Sequence, residues 1–260
     1  MTLRPFIAAA KVAATILLAQ SLAAGAAEIK VLSAGGIRPP LEELARQFER
    51  TSGHKVALRF VGGAILKQEV EAGASSDVVI AEATVLDEFI KAGKVAAATR
   101  AEIARAGVGV AVRAGVAKPD IASVEAFRRT LLKAKSVAFS KEGMAGLHFL
   151  GVLERLGISK EMQPKLMPTV AADPSRGTQA LVARGEAELG VAAIATLFAP
   201  GIDLVGPIPA ELQRYIQFAA GIGAGAKEPQ AAADLIKFLT ASAAAATFKA
   251  KGMEAAGPRS

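Results

Sequence analysis

The sequence predicts an α/β fold of two lobes, each a mostly parallel sheet flanked by helices, joined by two hinge strands. Three observations carry that expectation. Short apolar runs alternate with helix-period segments along most of the chain. Glycine and serine breaks separate them at lengths ordinary for α/β connections. Two apolar strands poor in helix signals, over 108–112 and 218–225, bracket a second alternating unit. With 260 residues, 52% hydrophobic and 21% charged, the chain is long enough to bury one or two cores and too apolar to remain disordered.

Taken in order, residues 1–26 read as a secretory signal peptide. Arg4 and Lys11 precede an apolar run over 12–18, and small residues end at Ala24-Gly25-Ala26, with cleavage expected near Ala26. Gln20 and Ser21 interrupt the apolar stretch, which falls short of the ~20 residues that span a bilayer. The mature protein is expected to be exported, hence periplasmic. A buried strand over 28–32 leads through Gly35-Gly36 to a helix with Leu41, Leu44, Ala45 and Phe48 on one face, ending near Ser52-Gly53. A strand over 54–61, a break at Gly62-Gly63, a short helix over 64–72, a continuous apolar strand over 77–81 and a helix over 85–92 follow. This βαβαβ order predicts a parallel sheet with right-handed crossovers and a ligand beyond the carboxyl ends of its strands.

Between the hinge strands lie helix 123–132, strand 136–139, helix 146–156, helix 175–184 and strand 189–193. The alanine-rich segment 229–252 is helical and is expected to pack back on the first unit. The division that follows is 27–107 and 218–260 in lobe 1, with 108–217 in lobe 2.

Composition removes several function classes. The chain has no cysteine, which excludes disulfide frameworks, thiol nucleophiles and zinc–cysteine sites. It has no tryptophan, and Tyr215 is its single tyrosine, so stacking platforms for bases or sugars are scarcely possible. The net charge of +7 comes from basic residues scattered among glutamates rather than gathered in a stripe, which argues against nucleic acid and for small anionic solutes. Of the two histidines, His54 reads as structural and neither sits in a ligand-spaced motif, so no metal and no cofactor is expected. No nucleophile elbow is present.

The candidate site residues follow from strand-to-helix turns. Gly35 and Gly36 stand between a strand and a helix, where unblocked amides and the positive helix end attract an anion. The pattern repeats at Gly62, Gly63 and Ala64. Arg38 stands at the mouth of the first loop, where a planar guanidinium suits a carboxylate. Glu82 ends the third strand on the ligand side. In the second lobe, Ala145 and Gly146 lie on another such loop, and Ser175 and Arg176 start a helix with Ser175 as N-cap. If the protein were an isomerase, Glu82, Lys141 or His148 would move the proton, provided burial raises the pKa of the acid.

Three stretches carry a family resemblance: Val31-Leu32-Ser33-Ala34-Gly35-Gly36; Glu71-Ala72-Gly73-Ala74-Ser75-Ser76-Asp77-Val78-Val79-Ile80; and Arg176-Gly177 with Ala180-Leu181-Val182-Ala183-Arg184-Gly185-Glu186-Ala187-Glu188-Leu189-Gly190. The chain resembles the periplasmic molybdate-binding proteins of ABC transporters from about Glu28 to Gly252. The resemblance implies a type II periplasmic-binding fold, a small anion between the lobes, a membrane permease as partner and a monomer. In that family serine hydroxyls, backbone amides and a tyrosine hold the oxyanion. Here the serine positions fall on Gly36 and on Gly62, Gly63 and Ala64, and the tyrosine position on Ala193. The ligand implied is a small carboxylate or oxyanion, and the loss of hydroxyls and the wider pocket imply a larger organic anion or carboxylate in preference to molybdate. A looser resemblance, on Gly35-Gly36, Pro119-Asp120-Ile121 and Val205-Gly206-Pro207, is to the branch containing aconitate isomerase, which makes an exported isomerase of a small polycarboxylate the alternative. A ligand-sensing domain of a membrane receptor would read the same.

Overall fold

The computed structural model describes residues 25–169 and 174–256. The expected leader lies outside the described residues except for Gly25 and Ala26, which are exposed coil, and Asp173, ahead of the helix expected at 175, also lies outside them. The chain opens with β1 (Glu28–Ala34), α1 (Arg38–Ser52), β2 (Lys55–Val61), α2 (Gly63–Glu71), β3 (Val78–Glu82) and α3 (Ala83–Lys91). β1 pairs in parallel with both β2 and β3. Pro39 and Pro40 begin α1, where a missing N–H is tolerated. The helix buries Leu41, Leu44, Ala45 and Phe48 and ends at Gly53, whose φ of 79° suits glycine.

Beyond β3 the first sheet departs from the parallel expectation. It has six strands in the order β11-β4-β10-β3-β1-β2. β4 (Ala101–Ala106), β10 (Ile216–Ile222) and β11 (Met253–Ala255) all join antiparallel. The second sheet has five strands in the order β7-β6-β8-β5-β9, from β5 (Val108–Arg113), β6 (Val137–Ser140), β7 (Leu166–Thr169), β8 (Leu189–Ala193) and β9 (Ile202–Pro207). β6 is parallel to β7 and β8, whereas β5 is antiparallel to β8 and β9. Both sheets are therefore mixed rather than mostly parallel. β5 and β10 enter their sheets from the opposite lobe with no crossover helix to set them parallel, and β9, β4 and β11 extend the sheets antiparallel beyond them.

The expected hinge strands correspond to β5 and β10, which do not pair with each other, because each is an interior strand of its own sheet. The crossings lie at their starts, at Gly107 and at residues 213–215. There the Gln213 side chain imitates a strand partner: Oε1 accepts the Val108 N–H at 2.8 Å and Nε2 donates to the Val108 carbonyl at 2.8 Å. A Cβ at Gly107 would stand 3.1 Å from Gln213 Nε2, so glycine lets the two crossings lie side by side.

The remaining helices are α4 (Val124–Lys133), α5 (Met144–Arg155), α6 (Ser159–Met162), α7 (Thr178–Ala183), α8 (Pro229–Thr240) and α9 (Ser242–Ala250). Ser123 caps α4 by accepting the Ala126 N–H at 3.1 Å. The helix expected over 175–184 is split into a 3-10 turn, Pro174–Arg176, and α7, whose N-cap is Gly177 rather than Ser175. The C-terminal segment breaks into α8 and α9, bent by 63°. α8 packs on β4 and β10, and α9 on α1, as expected of a segment that returns to the first unit. Among the described residues no single helix is long and apolar enough to cross a membrane. Phe89, Phe127, Phe149, Phe218 and Phe248 are fully buried, and one apolar core runs through both sheets.

Candidate functional site

The carboxyl ends of β1, β2, β3, β6, β7 and β8 meet at one cleft between the two sheets, of about 300 Å³. Most of these strands feed a helix or helical turn whose first residues form the wall: Gly35, Gly36 and Arg38; Gly62 and Gly63; Gly143 to Gly146; Gly177 and Thr178. The first N–H groups of a helix have no intrahelical partner, and the helix dipole adds positive potential at the same end. The cleft therefore collects backbone donors from both lobes, and an anion is the natural guest.

Gly35, Gly36, Arg38, Gly62, Gly63, Glu82, Ala145 and Gly146 of the sequence expectation all line this cleft. The reasons for glycine differ among them. A Cβ at Gly36 would stand 3.0 Å from Phe218 Cζ and 3.8 Å from Ala193 Cβ. Gly36 and Ala193 thus stand close together in the cleft, with the Phe218 ring packed against the glycine. At Gly62 a Cβ would collide with Glu142 Oε2 and approach its Cβ to 3.0 Å, so this glycine admits a side chain of the other lobe. At Gly146 a Cβ would collide with the Ser140 carbonyl oxygen, so this one lets α5 start directly against β6.

Arg38 is half-buried at the first residue of α1, where a cation opposes the helix dipole. Its guanidinium lies over the Phe60 ring, 4.6 Å from the centroid. The Arg38 backbone N–H donates to the Gly35 carbonyl, but its side chain has no hydrogen bond or ion pair among the described residues, so the guanidinium donors stay free for a guest. Glu82, 9% exposed, is the one acid lining the cleft among the described residues. Burial raises its pKa above the ordinary glutamate value, against a smaller lowering by a hydrogen bond from its own backbone.

The remaining expected residues stand outside the walls. Ala64 is exposed on the first turn of α2, and Ser175 and Arg176 are exposed on the 3-10 turn. The Lys141 N–H donates to the Thr169 carbonyl at 3.2 Å while its side chain is exposed. His148 is turned toward the crossing segment, with Nε2 2.7 Å from the Leu212 carbonyl oxygen. His54 accepts the Ala27 N–H at 3.1 Å and stacks on Phe48, in keeping with a structural role.

Sequence reasoning missed three hydroxyls on the lobe 2 side. Thr169 and Thr178 are buried, with their Oγ1 atoms 3.1 Å apart, and Thr169 Oγ1 also donates to the Phe139 carbonyl at 3.2 Å. Ser140 Oγ is buried without a partner. Ser140 and Thr169 end strands of the second sheet and Thr178 is the first residue of α7, so all three stand at element ends on the cleft side. Among the described residues no group of acids and histidines could hold a metal ion.

The motifs most specific to the family resemblance have architectural roles. The Asp77 carboxylate accepts the N–H groups of Lys30, Lys227 and Glu228 at 2.8, 2.6 and 2.9 Å, tying β1 to the start of α8. Burial pushes its pKa up, but these donors and the Lys30 charge outweigh burial, so the net shift is downward. Gly73, φ 81°, makes the turn before it. Glu188 accepts the Lys135 N–H at 2.8 Å, and Gly185 has φ 74°. Pro119-Asp120-Ile121 and Val205-Gly206-Pro207 share a groove that has no lining residue in common with the cleft.

Comparison with known proteins places this geometry. The family described as bacterial extracellular solute-binding protein matches residues 29–254. Aconitate isomerase of a Pseudomonas species is 32% identical over 233 residues, covering 87% of each chain. The molybdate-binding protein of Azotobacter vinelandii is 30% identical over 236 residues, covering 88% of this chain and 91% of that one. The solved structure of the Azotobacter vinelandii periplasmic molybdate-binding protein superposes with a TM-score of 0.74 at 22% identity, covering 89% of this chain and 100% of that one. The two-lobed fold with its interlobe cleft is that of the periplasmic binding proteins, and the chain belongs to the bacterial extracellular solute-binding protein family.

Proposed function

We propose that the mature protein is a periplasmic binding protein that closes its lobes on a small carboxylate and delivers it to an ABC permease of the inner membrane. In this reading 27–107 and 218–260 form lobe 1 and 108–217 form lobe 2. The protein acts as a monomer, exported after cleavage near Ala26, with no nucleic acid partner. The observation that carries it is Arg38, a cation without an anionic partner among the described residues, held in a cleft that helix starts from both lobes surround. The guanidinium takes one carboxylate, and the amides of Gly35-Gly36 and of the first turn of α5 take the charge that reaches the other lobe. Closure follows because only the closed form offers both sets of contacts at once.

One observation favours a second reading. Glu82 is a buried acid with a raised pKa beside the proposed carboxylate site, the property a proton-transferring group needs, and the Pseudomonas relative is an isomerase. On this reading Glu82 shuttles a proton on a bound unsaturated polycarboxylate. A thermal-shift screen of oxyanions and of mono-, di- and tricarboxylates tests the first reading, because a ligand of the native state raises Tm by mass action. Carboxylates should raise Tm and molybdate should not; a rise with molybdate alone rejects the carboxylate reading. Solvent deuterium entering bound trans-aconitate would establish the second reading, and binding without exchange would remove it.

A further inference from the structure

The loop between β6 and α5 carries Glu142, which none of the chemistry above uses. It reaches from lobe 2 across to lobe 1 and packs its side chain on Gly62 and its backbone carbonyl near Gly63, at the first turn of α2. Its neighbours on both sides, Ser140 and Gly143 in lobe 2 and Gly62 and Gly63 in lobe 1, line the cleft, so Glu142 closes the edge where the two lobes meet. Its Oε2 atom is buried without a hydrogen-bond partner, and Glu142 has no ion pair among the described residues. A buried oxygen left unpaired is unfavourable, and little but the positive end of α2 compensates it. The Gly62-Gly63 turn, which a ligand oxygen would otherwise approach, already faces a carboxylate that belongs to the protein.

We infer that Glu142 sets the charge selectivity of the cleft: its carboxylate occupies the approach to the α2 end and turns away compact dianions, while admitting extended carboxylates that place their charge at Arg38. The inference deepens the proposed function and rests on it for the position of the favoured ligand. A tetrahedral dianion must hold both charges within a single bond length of its centre. Centred between the glycine turns, it lies against the Gly62 turn on which the buried Glu142 carboxylate packs, where like-charge repulsion is little screened. An extended carboxylate separates its charges and avoids that encounter.

The test is a calorimetric titration of the mature protein and of Glu142→Gln with sodium molybdate, sodium sulfate, succinate, citrate and trans-aconitate at neutral pH. Glutamine keeps the shape of the side chain and removes its charge. Molybdate or sulfate should bind the variant at least about tenfold more tightly than the wild type, while the best carboxylate changes less than about threefold. Glu142→Ala, which removes the side chain from Gly62 altogether, should shift the same ratio the same way. Molybdate and sulfate affinities unchanged in both variants would overturn the inference and leave the carboxylate reading standing. Should no carboxylate bind the wild type, that reading falls, and the molybdate and sulfate titrations still decide whether Glu142 repels dianions.

Discussion

Replacing Arg38 by alanine separates binding from stability, because the structure assigns the two effects different sizes. On the stability side, removal of a cation from the first residue of α1 relieves an unfavourable interaction with the helix dipole of about 0.3 to 1 kcal/mol. The same change loses the stacking on Phe60, 4.6 Å from the ring centroid, about 0.5 to 1 kcal/mol at a partly exposed site. The two nearly cancel, and no hydrogen bond or ion pair among the described residues is lost. Tm should therefore move by no more than about 3 °C, at about 2 to 4 °C per kcal/mol for a chain of this size. On the binding side, charged hydrogen bonds to a carboxylate are worth about 1.5 to 3 kcal/mol, or about 10- to 150-fold in Kd. Arg38→Lys keeps the charge without the two-pronged geometry and should fall between. Calorimetric titration with the carboxylate that gives the largest thermal shift, alongside the Tm of each variant, measures both quantities. An affinity within twofold of wild type, or a loss of affinity matched by a large loss of Tm, refutes the assignment of Arg38 to the ligand.

Other predictions concern the groups around it. Asp77→Asn sets an amide against one of three donor N–H groups and should cost about 1 to 3 kcal/mol, read as a lower denaturation midpoint. Because the folded pKa of Asp77 lies below the ordinary 3.8, its contribution is complete above that value and is lost as pH falls through the folded pKa. The variant should therefore show a weaker acid dependence of Tm in that range. Glu82 has the opposite sign: its folded pKa lies above the ordinary 4.5, so stability declines as pH rises from 4.5 through the raised value. Glu82→Gln should flatten that decline, and if the protein is an isomerase it should bind substrate without turning it over. Gly146→Ala, a helix-favouring change elsewhere, should lower stability by about 1 to 3 kcal/mol, since its Cβ meets the Ser140 carbonyl; a rise in Tm would contradict that contact.

The βαβαβ start was legible because β1 sets Ile29, Val31 and Leu32 against a glycine turn, β3 opens with four apolar residues and α1 has a clean apolar face, signals that depend on local sequence alone. β4, with Glu102 and Arg105 among alanines, has no strand signal of its own and is unassigned by the sequence alone; it pairs with β10 and β11 on either side. β11 has three residues and hides in the tail of an alanine-rich helix, and Pro168 interrupts β7. In the site, the lobe 1 turns were legible because glycine between a strand and a helix has few explanations. What sequence could not supply was the reason for each glycine. Gly62 admits Glu142 from a loop far along the chain, and Gly146 admits a neighbouring carbonyl, neither of which a local pattern contains. Thr169 and Thr178 escaped notice because a threonine at a strand end or a helix start is ordinary until the fold sets the two hydroxyls side by side.

The position of the bound guest tests the account most directly. A crystal structure of the mature protein with its tightest carboxylate should place one carboxylate on the Arg38 guanidinium and another polar end on the amides that begin α5. A ligand lodged outside the interlobe cleft, or seated there with Arg38 turned to solvent, would contradict it.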